Sequence, residues 1–276
     1  MSDALGGPLA AGFPNRIVCL TEETTETLYL LGEQARIVGI SGYTVRPPQA
    51  RQEKPRVAAF TSARIDRILD LRPDLVIGFS DLQADIAAQL IRSGVAVTVF
   101  NQRSVSGILQ MIRMLGAMVG AHERADALVA GLRSGIEAVR VDADQYRTRP
   151  RVYFEEWHDP LFSAIAWVSE LIHIAGGEDC FPELASKAAG RDRIISDPDE
   201  VIRRQPDIII ASWCGRRFRP EAVRSRPGWE RIPAVQDGQL HEIKSPDILQ
   251  PGPAALTDGL QQIADILRAW QQSRLN

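Results

Sequence analysis

The sequence predicts an α/β protein made of two helix-covered, mostly parallel-sheet lobes joined by a single long α-helix. The main observation is a repeat, because residues 66–80 read DRILDLRPDLVIGFS and residues 199–213 read DEVIRRQPDIIIASW. Each copy has an acidic helix start, a short amphipathic helix, a Pro-Asp break and a β-branched run. A repeat of this length indicates two similar lobes rather than a solenoid.

The second observation is a long amphipathic segment, 123–142, between the two copies. Its apolar residues recur with i, i+3, i+4 spacing, so they form one stripe on a helix. The stripe comprises Ala125, Leu128, Val129, Leu132, Ile136 and Val139. We therefore predict an N-terminal arm over 1–15, a first lobe over 16–120, a connecting helix over 121–146 and a second lobe over 147–276.

In the first lobe, apolar runs and amphipathic segments alternate, as expected for a parallel sheet with crossover helices. Short β-branched or apolar runs predict strands over 16–20, 37–40, 56–59, 75–79 and 95–100. Amphipathic patterns predict helices over 24–31, 62–71, 81–93 and 104–119. Gly32, Gly94 and Gly120 are typical helix ends.

The second lobe repeats this alternation. Its predicted strands are 151–154, 208–212 and 240–243, and its predicted helices or helical turns are 164–175, 220–225, 227–232 and 257–271. Another helix begins at Asp197-Pro198-Asp199-Glu200, which combines an N-cap Asp, an early Pro and a following Glu. Residues 155–163 read as a polar and aromatic loop.

The composition limits the class of protein. The chain is 45% hydrophobic and 24% charged, with a net charge of −3, so no basic field indicates nucleic acid. Cys19, Cys180 and Cys214 form no C-x-x-C pair, so neither a disulfide framework nor a zinc site is indicated. No apolar run approaches the roughly 20 residues of a membrane span.

The N-terminus, MSDALGGPLAAGFPN, has neither a positive n-region nor an apolar h-region. We therefore expect a cytoplasmic protein as the sequence stands, and a periplasmic one if the native leader was removed. We also expect a monomer.

Ligands of open α/β sheets bind beyond the carboxyl ends of the strands. Aromatic residues are only 6% of the chain, yet they recur directly after the predicted strands. Large flat side chains with a few polar groups suit a bulky ligand that contains rings. The candidate ligand-binding residues are Tyr43, Phe60, Thr61, Phe79, Glu156, Trp157, His158, Trp213, Arg216 and Asp247.

Some of these residues have a second interpretation. Phe60 and Phe79 also fit the lid of a hydrophobic core. Trp157 lies between charges and before a proline, which favours a ligand contact. Glu155, Glu156 and His158 have the side chains of a metal site but lack a second cluster, so we predict no bound metal.

Arg216, Arg217 and Arg219 fit either an anion-binding loop or a solvated one. Cys214 fits packing better than nucleophilic catalysis, because no base is identifiable. The motifs G-x-x-x-x-G-K-[ST], G-x-G-x-x-G, H-E-x-x-H and G-x-S-x-G do not occur. We therefore expect a binding protein with no catalytic residues and no catalytic cofactor.

Whole stretches of the sequence resemble the periplasmic substrate-binding proteins of the vitamin B12 and iron-siderophore ABC importers. The matching stretches are RIVCLTEETTETLYLLG, RILDLRPDLVIGFSD, RVYFEEWHDPLF, ELIHIAGGEDCF, RPGWERIPAVQDGQLHEI and the Pro251-Gly252-Pro253 run. They cover nearly everything from Arg16 to Trp270. The Glu-Glu-Trp-His-Asp-Pro stretch is most similar to the cobalamin-binding branch.

The resemblance implies a ligand in a cleft between two lobes that barely move. It supports Tyr43, Phe60, Phe79, Trp157 and Trp213 as the residues that line this cleft. Cobalamin or a related corrinoid is then the expected ligand.

The resemblance also implies one acidic residue on each lobe that docks on arginines of an ABC permease. Asp66 and Asp199 match those positions, with Glu200 as a near alternative. From the residues alone, helix-dipole stabilisation is the favoured interpretation of Asp66 and Asp199.

Three other functions stay open. The first is a heme- or ferric-siderophore-binding protein of the same fold, supported by Arg216, Arg217 and Arg219. The second is an enzyme or metallochaperone that uses Glu155, Glu156 and His158. The third is a cytoplasmic corrinoid-binding or sensor protein without a transport role.

Overall fold

The computed structural model describes residues 12–274, so most of the predicted arm, up to residue 11, lies outside the described residues. The chain divides into two compact units. The first runs to Gln102 and includes Ser106–Gly131, and the second comprises Arg103–Val105 and everything from Leu132 on. No helix among residues 12–274 is both long enough and apolar enough to cross a membrane.

The first unit contains a five-stranded parallel sheet with the order β3-β2-β1-β4-β5. Its strands are β1 (Ile17–Cys19), β2 (Ile37–Ser41), β3 (Arg56–Ala58), β4 (Leu75–Phe79) and β5 (Val97–Phe100). Its helices are α1 (Glu22–Leu30), α2 (Pro48–Glu53), α3 (Ile65–Asp70), α4 (Ala84–Arg92) and α5 (Val105–Met118). Val18, Val76 and Ile68 are fully buried in its core.

The helix α6 (His122–Ala143) follows and passes through the boundary between the two units. Its predicted apolar stripe is confirmed, because Ala125, Val129, Leu132 and Ile136 are buried while the charged residues are exposed.

The second unit contains a four-stranded parallel sheet, with the order β11-β10-β6-β9, and a separate hairpin. Its strands are β6 (Arg151–Glu155), β7 (Trp157–His158), β8 (Leu161–Phe162), β9 (Glu178–Asp179), β10 (Ile208–Ala211) and β11 (Leu240–Glu242). Its helices are α7 (Ala166–Ile174), α8 (Pro182–Ala185), α9 (Asp199–Arg204), α10 (Pro220–Arg224), α11 (Pro233–Gln236), α12 (Ser245–Ile248) and α13 (Leu260–Ser273).

The sequence repeat appears as a shared strand order. The order β2-β1-β4-β5 of the first unit matches β9-β6-β10-β11 of the second, with β4 equivalent to β10. In both copies a short helix, α3 or α9, precedes the equivalent strand. The predicted fold class, two α/β lobes with parallel sheets, is confirmed.

The segment 155–163 differs from its predicted loop. Glu155 completes β6, and β7 and β8 form an antiparallel hairpin that pairs Trp157 with Phe162 and His158 with Leu161. Only two residues on each side pair, which is too short for an alternating pattern to be recognised in the sequence. The hairpin fixes the direction of the Trp157 and His158 side chains.

Candidate functional site

The carboxyl ends of β6 and β10 lie side by side in the second unit. These strands pair in parallel with Ala211 opposite Glu155, so the segments that follow them begin next to each other. One segment is the β7–β8 hairpin, and the other runs from Trp213 to Arg219. This register explains why candidates separated by more than 50 positions in the sequence meet.

Three aromatic rings form a continuous cluster at this edge. His158 stacks on Trp213 with ring centroids 4.4 Å apart and an interplanar angle of 28°. Trp157 also contacts His158, and the centroids of their rings are 4.9 Å apart. Phe218, which was not among the candidates, meets Trp213 edge-on at 5.2 Å. The structure thus brings Trp157, His158 and Trp213 together.

Arg216 lies against this cluster. Its guanidinium carbon is 5.2 Å from the centroid of the Trp157 ring, and its Nη1 is 3.4 Å from Nε2 of His158. A guanidinium group can only donate, so Nε2 accepts and the proton of the neutral ring is on Nδ1. That Nδ1 atom is buried and has no partner within residues 12–274. At 3.4 Å the contact between Arg216 and Nε2 is long for a hydrogen bond, so it is weak.

Glu155 is the buried support of the cluster. Its side chain is fully buried and accepts two hydrogen bonds from Arg226, at 2.5 and 2.9 Å. Its Oε1 also accepts from the indole N–H of Trp213 at 2.9 Å. Because these bonds share one carboxylate, Glu155 fixes the ring plane of Trp213 relative to Arg226.

Glu156 has a different role, since it anchors the hairpin. Its two oxygens accept from Arg193 at 2.5 and 3.1 Å, and the same arginine donates to the carbonyl of Ser163 at 2.8 Å. The indole N–H of Trp157 donates to the Asp159 carbonyl at 2.8 Å. The hairpin is therefore held at both of its ends.

These ion pairs argue against a metal site made of Glu155, Glu156 and His158. Glu155 and Glu156 both bind arginines, so their oxygens are already occupied. In the described part of the chain no group of three His, Cys, Asp or Glu side chains has a geometry that could hold a metal ion. The enzyme or metallochaperone reading of Glu155, Glu156 and His158 thus gains no support.

The loop after Trp213 carries three exposed arginines, Arg216, Arg217 and Arg219. None of them forms an ion pair with a carboxylate of residues 12–274. Burial raises the pKa of Cys214, so its thiol is less ionised than a free cysteine. Asp247 lies on α12, half-buried, and its Oδ2 accepts from Gln262 at 3.2 Å.

In the first unit, the candidates also follow the carboxyl ends of strands. Tyr43 is 66% exposed after β2, and Thr61 is exposed after β3. Phe60 is half-buried, and Phe79 is only 6% exposed at the end of β4. The buried Gln83 links the last two, because it donates to the Phe60 carbonyl and accepts from the Phe79 N–H, both at 2.9 Å.

An acidic cluster after β1 is a feature that the candidate residues do not include. Glu22, Glu23 and Glu26 are all buried at the start of α1, and Arg46 bonds both Glu22 and Glu26. Burial raises the pKa of Glu22 to about 8 and that of Glu23 to about 7. The only sequence signal is that the stretch EETTET lacks apolar residues on either face of α1.

The docking candidates differ in their surroundings. Asp66 and Asp199 are exposed in the first turns of α3 and α9, and neither pairs with a cation among the described residues. Glu200 instead pairs with Arg203 and Arg204. Hydrogen bonds from Arg204 and Arg203 lower its pKa. The exposed, unpaired acids are therefore Asp66 and Asp199.

Two parallel-sheet units, with an aromatic cluster beyond the strand ends of the second, are the features expected of a solute-binding protein. The model of the periplasmic binding protein family matches residues 17–246, and the chain therefore belongs to that family. The predicted class, a periplasmic substrate-binding protein, is thereby confirmed at the level of the family.

Named relatives are similar over nearly the whole chain. A vitamin B12-binding protein of Vibrio campbellii is 27% identical over 271 residues, which are 96% of this chain and 94% of the relative. The ABC transporter substrate-binding lipoprotein YvrC of Bacillus subtilis, described as uncharacterized, is 24% identical over 91% of this chain and 79% of its own. The apo structure of the periplasmic heme-binding protein RhuT from Roseiflexus sp. RS-1 superposes with a TM-score of 0.76 and 25% identity, covering 92% and 99% of the two chains.

Proposed function

We propose that this chain is the substrate-binding protein of an ABC importer and that it binds cobalamin or a related corrinoid. The observation that carries the proposal is the cluster of Trp157, His158 and Trp213 beyond β6 and β10. The similarity to vitamin B12-binding and ABC transporter substrate-binding proteins supports it.

The physical basis is the match between flat side chains and a large ring. Covering roughly 100 Å² of apolar surface contributes about 2.5 kcal/mol at 25 cal/mol per Å². Trp157 is half-buried and its ring is already held by the hairpin, so little side-chain entropy is lost when a ligand covers it. Amide groups at the corrin periphery supply partners for the polar side chains nearby.

The first unit offers Tyr43, Phe60 and Thr61 as exposed or half-exposed contacts. Phe79 is a weaker candidate because its ring is buried. The cleft between the lobes that the resemblance implies stays a prediction. So does the docking of Asp66 and Asp199 on permease arginines.

Titration with cyanocobalamin, followed by calorimetry and corrin absorbance, is the direct test. We expect micromolar or tighter binding, and at least tenfold weaker binding by Trp157→Ala. Val141→Ala is the control, because Val141 is 55% exposed on α6 and belongs to the same unit as the aromatic cluster but does not follow a strand. Absence of binding at tens of micromolar would contradict the corrinoid proposal.

A heme or ferric siderophore is the second candidate, for a specific reason. The exposed arginines of the loop after Trp213 have no carboxylate partners among residues 12–274, and both ligands carry anionic groups. The likeness to RhuT points in the same direction. Heme titration followed at the Soret band, together with cobalt and iron analysis of the purified protein, separates it from the corrinoid.

The place of action is also a proposal. We propose that the protein works outside the cytoplasmic membrane, as an importer subunit must. Fractionation of the native host tests this, and a cytosolic protein that still binds corrinoid would instead favour the sensor function.

A further inference from the structure

We infer that Arg216 forms an anion subsite that selects ligands with a carboxylate or a phosphodiester at the edge of their ring. This inference rests on the proposed function and adds the chemical class of the group that the second unit recognises. It starts from the distribution of carboxylates and arginines around the aromatic cluster.

The two carboxylates that β6 brings to the cluster each already have an arginine. Glu155 binds Arg226 through both of its oxygens, and Glu156 binds Arg193 in the same way. Arg193 and Arg226 therefore neutralise the acids that β6 brings to this edge. Arg216 is a third arginine at the same place, and no carboxylate of residues 12–274 remains to pair with it.

The guanidinium of Arg216 is nevertheless held in position. It faces the Trp157 ring at 5.2 Å and donates to His158 at 3.4 Å. Contact with an aromatic face restricts the long side chain without using its N–H groups. An arginine that is positioned but lacks an anionic partner is suited to bind carboxylate or phosphate through two parallel hydrogen bonds.

The contact with His158 does not compete strongly with such an anion. It is long for an N–H···N hydrogen bond, and it leaves Nδ1 of His158 buried without a partner in the described chain. An oxyanion beside the rings offers Arg216 a charged acceptor in place of a neutral one. We therefore expect Arg216 to stay against the Trp157 ring when the ligand binds, and to replace its hydrogen bond to His158 with hydrogen bonds to the anionic group of the ligand.

Arg217 and Arg219 supply matched controls. They are exposed arginines of the same loop with no ion pair in the described chain, and neither has a contact with an aromatic ring of the cluster. If only the net charge of the loop mattered, all three arginines would contribute alike. If the subsite is specific, Arg216 alone decides the preference for an anionic ligand.

The experiment compares ligands that differ in the anionic group. Cyanocobalamin contains a phosphodiester, whereas dicyanocobinamide lacks the nucleotide loop and its phosphate. For a protein that binds heme, the pair is mesoheme and its dimethyl ester. Affinities are measured by calorimetry for the wild type, Arg216→Gln, Arg216→Lys, Arg217→Gln and Arg219→Gln, after circular dichroism has confirmed that each variant is folded.

We expect Arg216→Gln to bind the anionic ligand at least tenfold more weakly and its uncharged counterpart within twofold of the wild type. Arg216→Lys should retain part of the preference, and Arg217→Gln and Arg219→Gln should change it less than threefold. Equal effects on both ligands of a pair, or no effect, overturn the inference while leaving the proposed function intact. A wild-type protein that binds neither pair overturns the proposed function, and the inference with it.

Discussion

Replacing Glu155 with glutamine tests whether the buried ion pair of Glu155 and Arg226 stabilises the unit that carries the aromatic cluster. The glutamine keeps an oxygen for the indole N–H of Trp213 but removes the negative charge opposite Arg226. Breaking one partner of a buried pair costs about 3–5 kcal/mol. The Arg226 side chain is 17% exposed, so we expect a loss of about 2–4 kcal/mol in the free energy of unfolding.

The assay is urea denaturation followed by tryptophan fluorescence, with the variants Glu155→Gln, Arg226→Met and the two combined. Either single change leaves the other group without its partner. The loss of stability in the double variant should therefore be smaller than the sum of the two single losses by at least about 1.5 kcal/mol. Glu178→Gln is the control, since Glu178 is exposed in the same unit, and it should change stability by less than about 0.5 kcal/mol. Additive single effects would refute the reasoning.

Three further outcomes are expected. The raised pKa of Glu22, about 8 against 4.5, means that the folded state keeps a proton that the unfolded state releases, so stability falls as pH rises from about 4.5 to 8. Glu22→Gln should remove the part of that fall due to Glu22, leave the part due to Glu23, and be more stable than the wild type by a few kcal/mol at pH 9 but not at pH 4, as read from urea midpoints. Arg193→Met should lower stability by about 2 kcal/mol and weaken ligand binding, with faster proteolysis of the hairpin as the direct readout; unchanged proteolysis would count against the anchoring role. Asp66→Arg and Asp199→Arg should each reduce permease-dependent uptake at least tenfold with ligand affinity unchanged, whereas Glu123→Arg should not; equal uptake by all three would exclude docking through the two aspartates.

Much of the fold could be predicted because it depends on local patterns. The α6 stripe follows directly from 3.6-residue periodicity, and the equivalence of β4 with β10 follows from the repeated Pro-Asp and β-branched run. Trp157 and Trp213 could be placed at one sheet edge because parallel strands end together. Each of these inferences needs information from only a short stretch of sequence.

The partners within the site could not be predicted in the same way. Arg193 is 37 positions from Glu156, and Arg226 is 71 positions from Glu155. No pattern in the sequence joins residues so far apart, and either glutamate could equally have been a metal ligand or a solvated surface acid. Their true role depends on the loop geometry after β9 and β10, which only the folded structure provides.

The burial of the acidic residues after β1 is another feature that could not be predicted from the sequence. Polar side chains normally indicate an exposed helix face, yet Glu22, Glu23 and Glu26 are all less than 9% exposed. Arg46 bonds Glu22 through its backbone N–H and Glu26 through its Nε, and the Thr21 hydroxyl donates to Glu23. Burial is the main cause of the raised pKa values of Glu22 and Glu23, and the neighbouring carboxylates add to it.

The two copies of the repeat thus share a strand order and differ in the electrostatics of equivalent strand ends. After β1, three buried carboxylates face one arginine, whereas after β6 two carboxylates face Arg193 and Arg226, with Arg216 in excess. Burial raises the pKa of Glu22 and Glu23 at the first end, and at the second end we propose that Arg216 binds an anion. Since β1 and β6 occupy equivalent positions in their sheets, the strand order is not the source of this difference. We therefore expect the loops that follow the strands to determine what each unit recognises, so that substitutions in those loops, such as those at Arg216, change the ligand without changing the fold.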